Sequence, residues 1–195
     1  MNALIVGTGA IGSWLAYNLA SDTMADLTIL DFDKVEKRNI QAKTQFYLEQ
    51  QIGKRKVDAL QYNIYTWAGK TIKVINSRIE VKGIPELLKL VFKIDLIADC
   101  FDNYQSRKLI TTIAKQQNIP CVHIGFSPLM TFAIEWNETY IPPNIQVTWD
   151  ICQAEGAASF IRMVAGHASI IVQEFMKTNR KISMTGNRFT NRLIE

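Results

Sequence analysis

The stretch Ala3-Leu4-Ile5-Val6-Gly7-Thr8-Gly9-Ala10-Ile11-Gly12 is a short apolar run ending in GxGxxG, and the next apolar run, Leu27–Leu30, closes on Asp31. A strand, a glycine turn and a helix in this order open a βαβ crossover. Gly7 permits the tight turn after the strand. Gly9 lets backbone N–H groups approach a phosphate, and Gly12 lets the helix pack closely on the sheet. The backbone of Gly7, Gly9, Ala10, Ile11 and Gly12 is therefore a candidate phosphate loop, with the helix N-terminus attracting the anion. Asp31 lies 19 residues beyond Gly12. It is expected at the end of the second strand, where its carboxylate can accept hydrogen bonds from both ribose hydroxyls. The alternative is a tight strand-to-helix turn with no ligand.

Outward from this unit the pattern repeats. After the polar stretch Phe32–Gln51, Gly53 opens a helix whose apolar residues Val57, Leu60, Ile64 and Trp67 recur at helical spacing. Thr71–Asn76 reads as strand three, Pro85–Phe92 as a helix, Asp95–Asp99 as strand four, Asn103–Gln117 as a helix and Pro120–Ile124 as strand five. Beyond it, Met130–Trp136 and Gln146–Trp149 read as strands with no helix between them, separated by the Pro142-Pro143 turn, which points to an antiparallel addition. Gly156–Lys177 is a long apolar helix, and a polar tail holds Arg180, Lys181, Arg188 and Arg192. The expected fold is α/β: a Rossmann-like doubly wound sheet, mainly parallel, with antiparallel strands near the C-terminal end and a long C-terminal helix. Residues 1–178 read as a single domain and 179–195 as a basic tail.

Composition narrows the function classes. The chain has 195 residues, 48% of them hydrophobic, enough for one sizeable core. Lys+Arg 22 against Asp+Glu 18 gives a net charge of +4, with the charges interspersed and no basic run, so no nucleic-acid partner is expected. The helix Ala157–Met176 is interrupted by Arg162, His167, Gln173 and Glu174 and reads as core rather than a membrane span. Met1 leads directly into strand one with no room for a signal segment, so a soluble, cytoplasmic protein is expected. Cys100, Cys121 and Cys152 form no CxxC pair, so reduced thiols and no structural zinc are expected.

Open doubly wound sheets bind ligands at the carboxyl ends of their strands. That edge receives the glycine loop from strand one, Asp31 and Asp33 from strand two, and Asp99, Asp102 and Asn103 from strand four. Carboxylates beside phosphates need a mediating cation, so Asp102 is the candidate Mg²⁺ ligand. Arg55 and Lys56 are placed to neutralise phosphate charge. A cation clamp with a metal suits phosphoryl or nucleotidyl transfer. Asp102 or Asn103 could instead simply cap the following helix, and Lys54, Arg55 and Lys56 could form a solvated first turn. His123 and His167 have no ligand-spaced partners and read as satisfied core or surface histidines. Cys100 reads as core, and Trp136, Trp149 and Phe160 as packing residues.

Gly7-Thr8-Gly9-Ala10-Ile11-Gly12-Ser13, Asp31-Phe32-Asp33-Lys34-Val35-Glu36, Asn39-Ile40, Gly53-Lys54-Arg55-Lys56 and Asp99-Cys100-Phe101-Asp102-Asn103 with Arg107 together resemble the ThiF/MoeB family, bacterial relatives of ubiquitin-activating enzymes. The resemblance covers residues 1–128. It implies that Asp31 holds the ribose, that Asn39 and Lys56 contact the ATP phosphates, and that Asp102 organises Mg²⁺ near the reacting α-phosphate. It also implies adenylation of the C-terminal carboxylate of a small ubiquitin-like or sulfur-carrier protein with a flexible tail, with release of pyrophosphate, and a homodimer formed through the region of the long apolar helix.

Two departures stand out. Where relatives commonly read N-L-x-R-Q, this chain reads Asn39-Ile40-Gln41-Ala42-Lys43, so the usual phosphate-contacting arginine is Ala42 and Lys43 or Arg38 is left to substitute. The zinc-binding CxxC pairs of many relatives are absent. Cys152, before the long helix, is a candidate acceptor for a thioester or persulfide, with ordinary burial as its alternative. Two other functions are carried alongside adenylation: a non-catalytic nucleotide-binding module, suggested by Ala42, and an NAD-dependent oxidoreductase, suggested by GxGxxG and Asp31 alone.

Overall fold

The computed structural model describes residues 1–78, 93–144 and 154–194. The expected helix Pro85–Phe92, the expected strand Gln146–Trp149 with Trp149, and Cys152 lie outside the described residues.

The elements run β1 (Asn2–Val6), α1 (Ala10–Asp22), β2 (Asp26–Asp31), α2 (Lys37–Gln41), a 3₁₀ turn (Glu49–Gln51), α3 (Lys56–Ala68), β3 (Lys73–Asn76), β4 (Leu96–Asp99), α4 (Tyr104–Gln117), β5 (Cys121–Phe126), β6 (Thr131–Trp136), α5 (Ala157–Thr178), β7 (Ser183–Asn187) and β8 (Asn191–Ile194). They build an eight-stranded sheet in the order β3-β2-β1-β4-β5-β6-β7-β8. The first five strands of that row are parallel and the last three pair antiparallel. This is the expected α/β architecture. It also goes further, because part of the stretch read as a polar tail forms β7 and β8 and extends the sheet.

Alternation along β1 divides the core. Ala3 and Ile5 pack into a cluster with Leu15, Leu19, Leu60, Ile64, Val164 and Val172, while Leu4 and Val6 face a second cluster with Ile110, Ile113 and Ala114 of α4. The central strands are thus buried on both faces, which is why they read as continuous apolar runs. On α3, Val57, Leu60 and Ile64 are buried. Trp67, in the last turn before the left-handed Gly69 cap, is 64% exposed rather than core. Trp136 and Phe160 are buried as expected.

The parallel register brings Val6 level with both Leu30 and Asp99, so β1, β2 and β4 end together. Strand order reverses about β1, with β2 on one side and β4 on the other, and this switch point opens a crevice at the carboxyl edge.

Candidate functional site

Gly7 turns the chain at the top of β1 with φ +82, a conformation that L side chains rarely adopt. A Cβ at Gly12 would lie 1.9 Å from the Gly7 carbonyl oxygen, so only glycine lets α1 start this close to the strand. A Cβ at Gly9 would meet nothing within 4 Å, leaving open space where a ligand can approach the backbone. No side chain caps α1, so its first-turn N–H groups face that space with the positive end of the helix dipole. These features fit a phosphate group.

Thr8 and Tyr47 lock the loop from below. Thr8 is fully buried. Its N–H and hydroxyl both donate to Asp31 Oδ2, at 2.7 and 2.9 Å, and the Tyr47 hydroxyl donates to the Thr8 carbonyl at 2.7 Å. Burial pushes the Tyr47 phenol well up, and the charges of Asp31 and Asp33 add to it. Asp31 Oδ1 accepts the Asp33 N–H at 2.9 Å. Asp31 therefore holds the loop and the turn after β2 as well as standing at the strand end. Local spacing assigns no role to Thr8 or Tyr47, because each acts through a partner 23 or 39 residues away.

Lys56 is held at this edge by backbone pairing of two segments. Its own N–H donates to the Asp33 carbonyl, Val35 donates to Lys54, and Gly53 donates to Val35, each at 2.8 Å. The Lys56 ammonium then lies 3.0 Å from Asp33 Oδ2, joining two predicted site residues. Asn39 is buried, and its amide oxygen accepts the Glu36 N–H at 2.8 Å, which leaves its NH₂ to donate elsewhere. Arg38 is exposed and paired with Glu36 at 2.6 Å. Lys43 is exposed, in the left-handed region with φ 53. The adjacent Thr44 hydroxyl is buried with no hydrogen-bond partner among the described residues.

On the β4 side, Asn103 is the N-cap of α4, its Oδ1 accepting the Ser106 N–H at 2.9 Å. Asp102 is exposed and has no hydrogen-bond or ion-pair partner among the described residues. The acid and the amide of this turn thus divide their roles: Asn103 caps and Asp102 projects. Among the described residues no group of three or more His, Cys, Asp or Glu could hold a metal. A single carboxylate at the same sheet edge as the open Gly9 backbone still fits Mg²⁺, which is commonly held by one or two carboxylates with substrate phosphates and waters.

Beneath this turn lies a polar network that the sequence reading missed. Fully buried Asp99 accepts the Phe101 N–H with Oδ1 at 3.0 Å and meets His123 Nδ1 with Oδ2 at 2.8 Å. His123 also reaches Asn137 Oδ1 at 3.2 Å and stacks on Tyr140 at 3.8 Å between centroids. Arg107 donates to the Tyr140 hydroxyl at 2.9 Å and the Ile124 carbonyl at 2.7 Å, with Asp99 3.9 Å away. Burial works against the Arg107 charge, but Asp99 and Tyr140 outweigh it and hold its pKa above the usual value. His123 is thus a satisfied core histidine, while His167 stacks on Phe132. Cys100 and Cys121 are free thiols, both pushed up by burial.

Comparison with known proteins matches this architecture. Over 193 residues the chain is 26% identical to the sulfur carrier protein ThiS adenylyltransferase of Bacillus subtilis, covering 94% of this chain and 54% of that protein. Over 125 residues it is 30% identical to the molybdopterin-synthase adenylyltransferase of Escherichia coli, covering 61% of this chain and 47% of that protein. The chain spans about half the length, or less, of the curated relatives it matches. Among solved structures, selenomethionine PaaA superposes with TM-score 0.76 at 23% identity over 100% of this chain and 63% of that one. E. coli MccB with ATP superposes with TM-score 0.75 at 14% identity, over 100% and 62%, and both likenesses establish the fold. The model of the ThiF family matches residues 1–194, and the chain belongs to that family.

Proposed function

We propose that this protein is an ATP-dependent adenylyltransferase that activates the C-terminal carboxylate of a small ubiquitin-like or sulfur-carrier protein. The observation that carries the reading is the convergence of four groups at one sheet edge: the open backbone at Gly9, the Asp31 carboxylate, the buried Lys56 side chain with its ammonium on Asp33, and Asp102, which has no partner among the described residues. The ThiS and molybdopterin-synthase adenylyltransferases among its relatives support it.

In this reading the uncapped start of α1 and the Asn39 NH₂ bind phosphate oxygens, and Asp31 accepts from the ribose through lone pairs that Thr8 and Asp33 leave free. Lys56 transfers its ammonium from Asp33 to the phosphates. Asp102 would hold Mg²⁺, which would supply neutralisation of phosphate charge when bound. A carrier carboxylate oxygen bonds to the α-phosphorus as the bond to the pyrophosphate oxygen breaks, giving the acyl-adenylate and pyrophosphate. The protein's part is positioning and charge stabilisation. A flexible carrier tail enters the crevice at the switch point, and the protein works as a homodimer.

Exchange of labelled pyrophosphate into ATP, dependent on a candidate carrier and abolished in Asp102→Ala, tests this. Exchange at the wild-type rate in Asp102→Ala would remove the assignment of Asp102. A second reading, a nucleotide-binding module without turnover, is favoured by Ala42 and by the engagement of Arg38 with Glu36; carrier-dependent exchange would exclude it.

A further inference from the structure

Resting on the nucleotide reading above, we infer that Arg162 of α5 contacts the outer phosphates of the bound nucleotide and supplies the guanidinium that the α2 segment lacks. The geometry is set by two helices lying side by side in the same direction. Near their starts Arg162 meets Trp14, with its guanidinium carbon 4.8 Å from the ring centroid. Near their ends Gln173 donates to Asp22 at 3.3 Å. Both N-termini therefore face the carboxyl edge of the sheet. Trp14 is four residues into α1, about 6 Å along the axis from its first residue. Helical side chains lean toward the N-terminus, so Arg162 leans toward the open space over Gly9.

Arg162 is exposed, stacks on an aromatic face and donates to the Lys43 carbonyl at 3.2 Å. No carboxylate pairs with it among the described residues. A guanidinium tethered by a ring and one carbonyl keeps N–H donors for a bidentate oxyanion, and the Trp14 face guides its swing. The tether also brings it beside Ala42. α3 packs with α1, β2 and β3, on the side where Asp31 stands. α5 instead covers β6, through Phe160 on Phe132 and Phe175 on Trp136. Arg162 thus approaches the open backbone over Gly9 from the side opposite α3, so that phosphates lying over Gly9 would be met by Lys56 from one side and by Arg162 from the other.

The test is calorimetric titration of the full chain with ATP and with AMP, each with Mg²⁺. Arg162→Ala is expected to weaken ATP binding about tenfold and AMP binding less than about twofold, and Ala42→Arg in that background is expected to recover ATP affinity. Unchanged ATP affinity in Arg162→Ala, an equal loss for ATP and AMP, or no recovery with Ala42→Arg would overturn the assignment. A wild-type protein that binds neither nucleotide would overturn the nucleotide reading itself, and Arg162 with it.

Discussion

The ammonium of Lys56 lies 3.0 Å from Asp33 Oδ2, with the lysine side chain 9% and the aspartate side chain 46% exposed. The lysine is packed while its carboxylate partner is open to solvent, so the packing of the stem and the role of the charge can be tested separately. Lys56→Met keeps the apolar stem, and a partly exposed ion pair contributes up to about 1 kcal/mol, a shift of about 2–4 °C in melting temperature for a chain of this size. Mg²⁺–ATP at about 100 times its dissociation constant stabilises the wild type by about 2.7 kcal/mol. That ligand shift is expected to vanish in Lys56→Met. Equal shifts in both proteins would take Lys56 out of the phosphate site.

Gly9 and Gly12 separate a phosphate loop from a mere tight turn. At Gly12 a methyl group meets the Gly7 carbonyl oxygen at 1.9 Å, so Gly12→Ala is expected to destabilise the fold by about 3 kcal/mol or more. At Gly9 a methyl group meets nothing within 4 Å, and Gly9→Ala is expected to cost at most about 1 kcal/mol at this N-cap position. Its effect falls on the ligand, because the methyl occupies the approach to the α1 backbone: ATP affinity is expected to drop about tenfold. Urea unfolding and ATP titration measure the two quantities. Undiminished ATP binding by Gly9→Ala would favour the turn with no ligand.

The parallel half of the sheet and the acids at its edge are legible in the sequence because their signals are local. A doubly buried strand is an unbroken apolar run, and Gly7, Asp31, Asp99 and Asp102 follow such runs at fixed short distances. Strands β7 and β8 are not legible. Ser183–Asn187 buries only Met184 and Asn191–Ile194 buries no residue, so neither shows the alternation that marks a strand; β7 is paired by β6, and β8 by β7 in turn. Trp67 continues a helical spacing whose burial stops at Ile64. Tyr47, Tyr140 and Arg162 matter through partners 39, 33 and 119 residues away, and spacing carries no information about such contacts.

Asp99 is the counter-charge for a buried guanidinium and the acceptor for both His123 and the Phe101 N–H. Asp99→Asn keeps the volume but leaves Arg107 without its anion, and breaking a buried pair on one side costs about 3–5 kcal/mol. Tyr140→Phe removes one hydrogen bond to Arg107 and is expected to cost about 1 kcal/mol. Denaturant midpoints should rank wild type above Tyr140→Phe and Tyr140→Phe above Asp99→Asn. The reverse order would mean that Asp99 is not the centre of the network.

Tyr47 ties this stability to pH. Its hydroxyl donates to the Thr8 carbonyl, and Tyr47→Phe leaves that buried acceptor unpaired, a cost of about 1–3 kcal/mol. Burial raises the phenol well above its ordinary 10.0 in the folded protein. The folded state therefore retains a proton that the unfolded chain releases, and the contribution is complete below about pH 10 and lost as pH rises beyond it. The buried thiols of Cys100 and Cys121, raised from 9.0, add losses in the same direction, and they remain in both proteins. The expected result is a melting temperature that falls more steeply with pH above 10 in the wild type than in Tyr47→Phe, so that the two curves converge. Parallel curves would show that the Tyr47 proton is not held more tightly by folding.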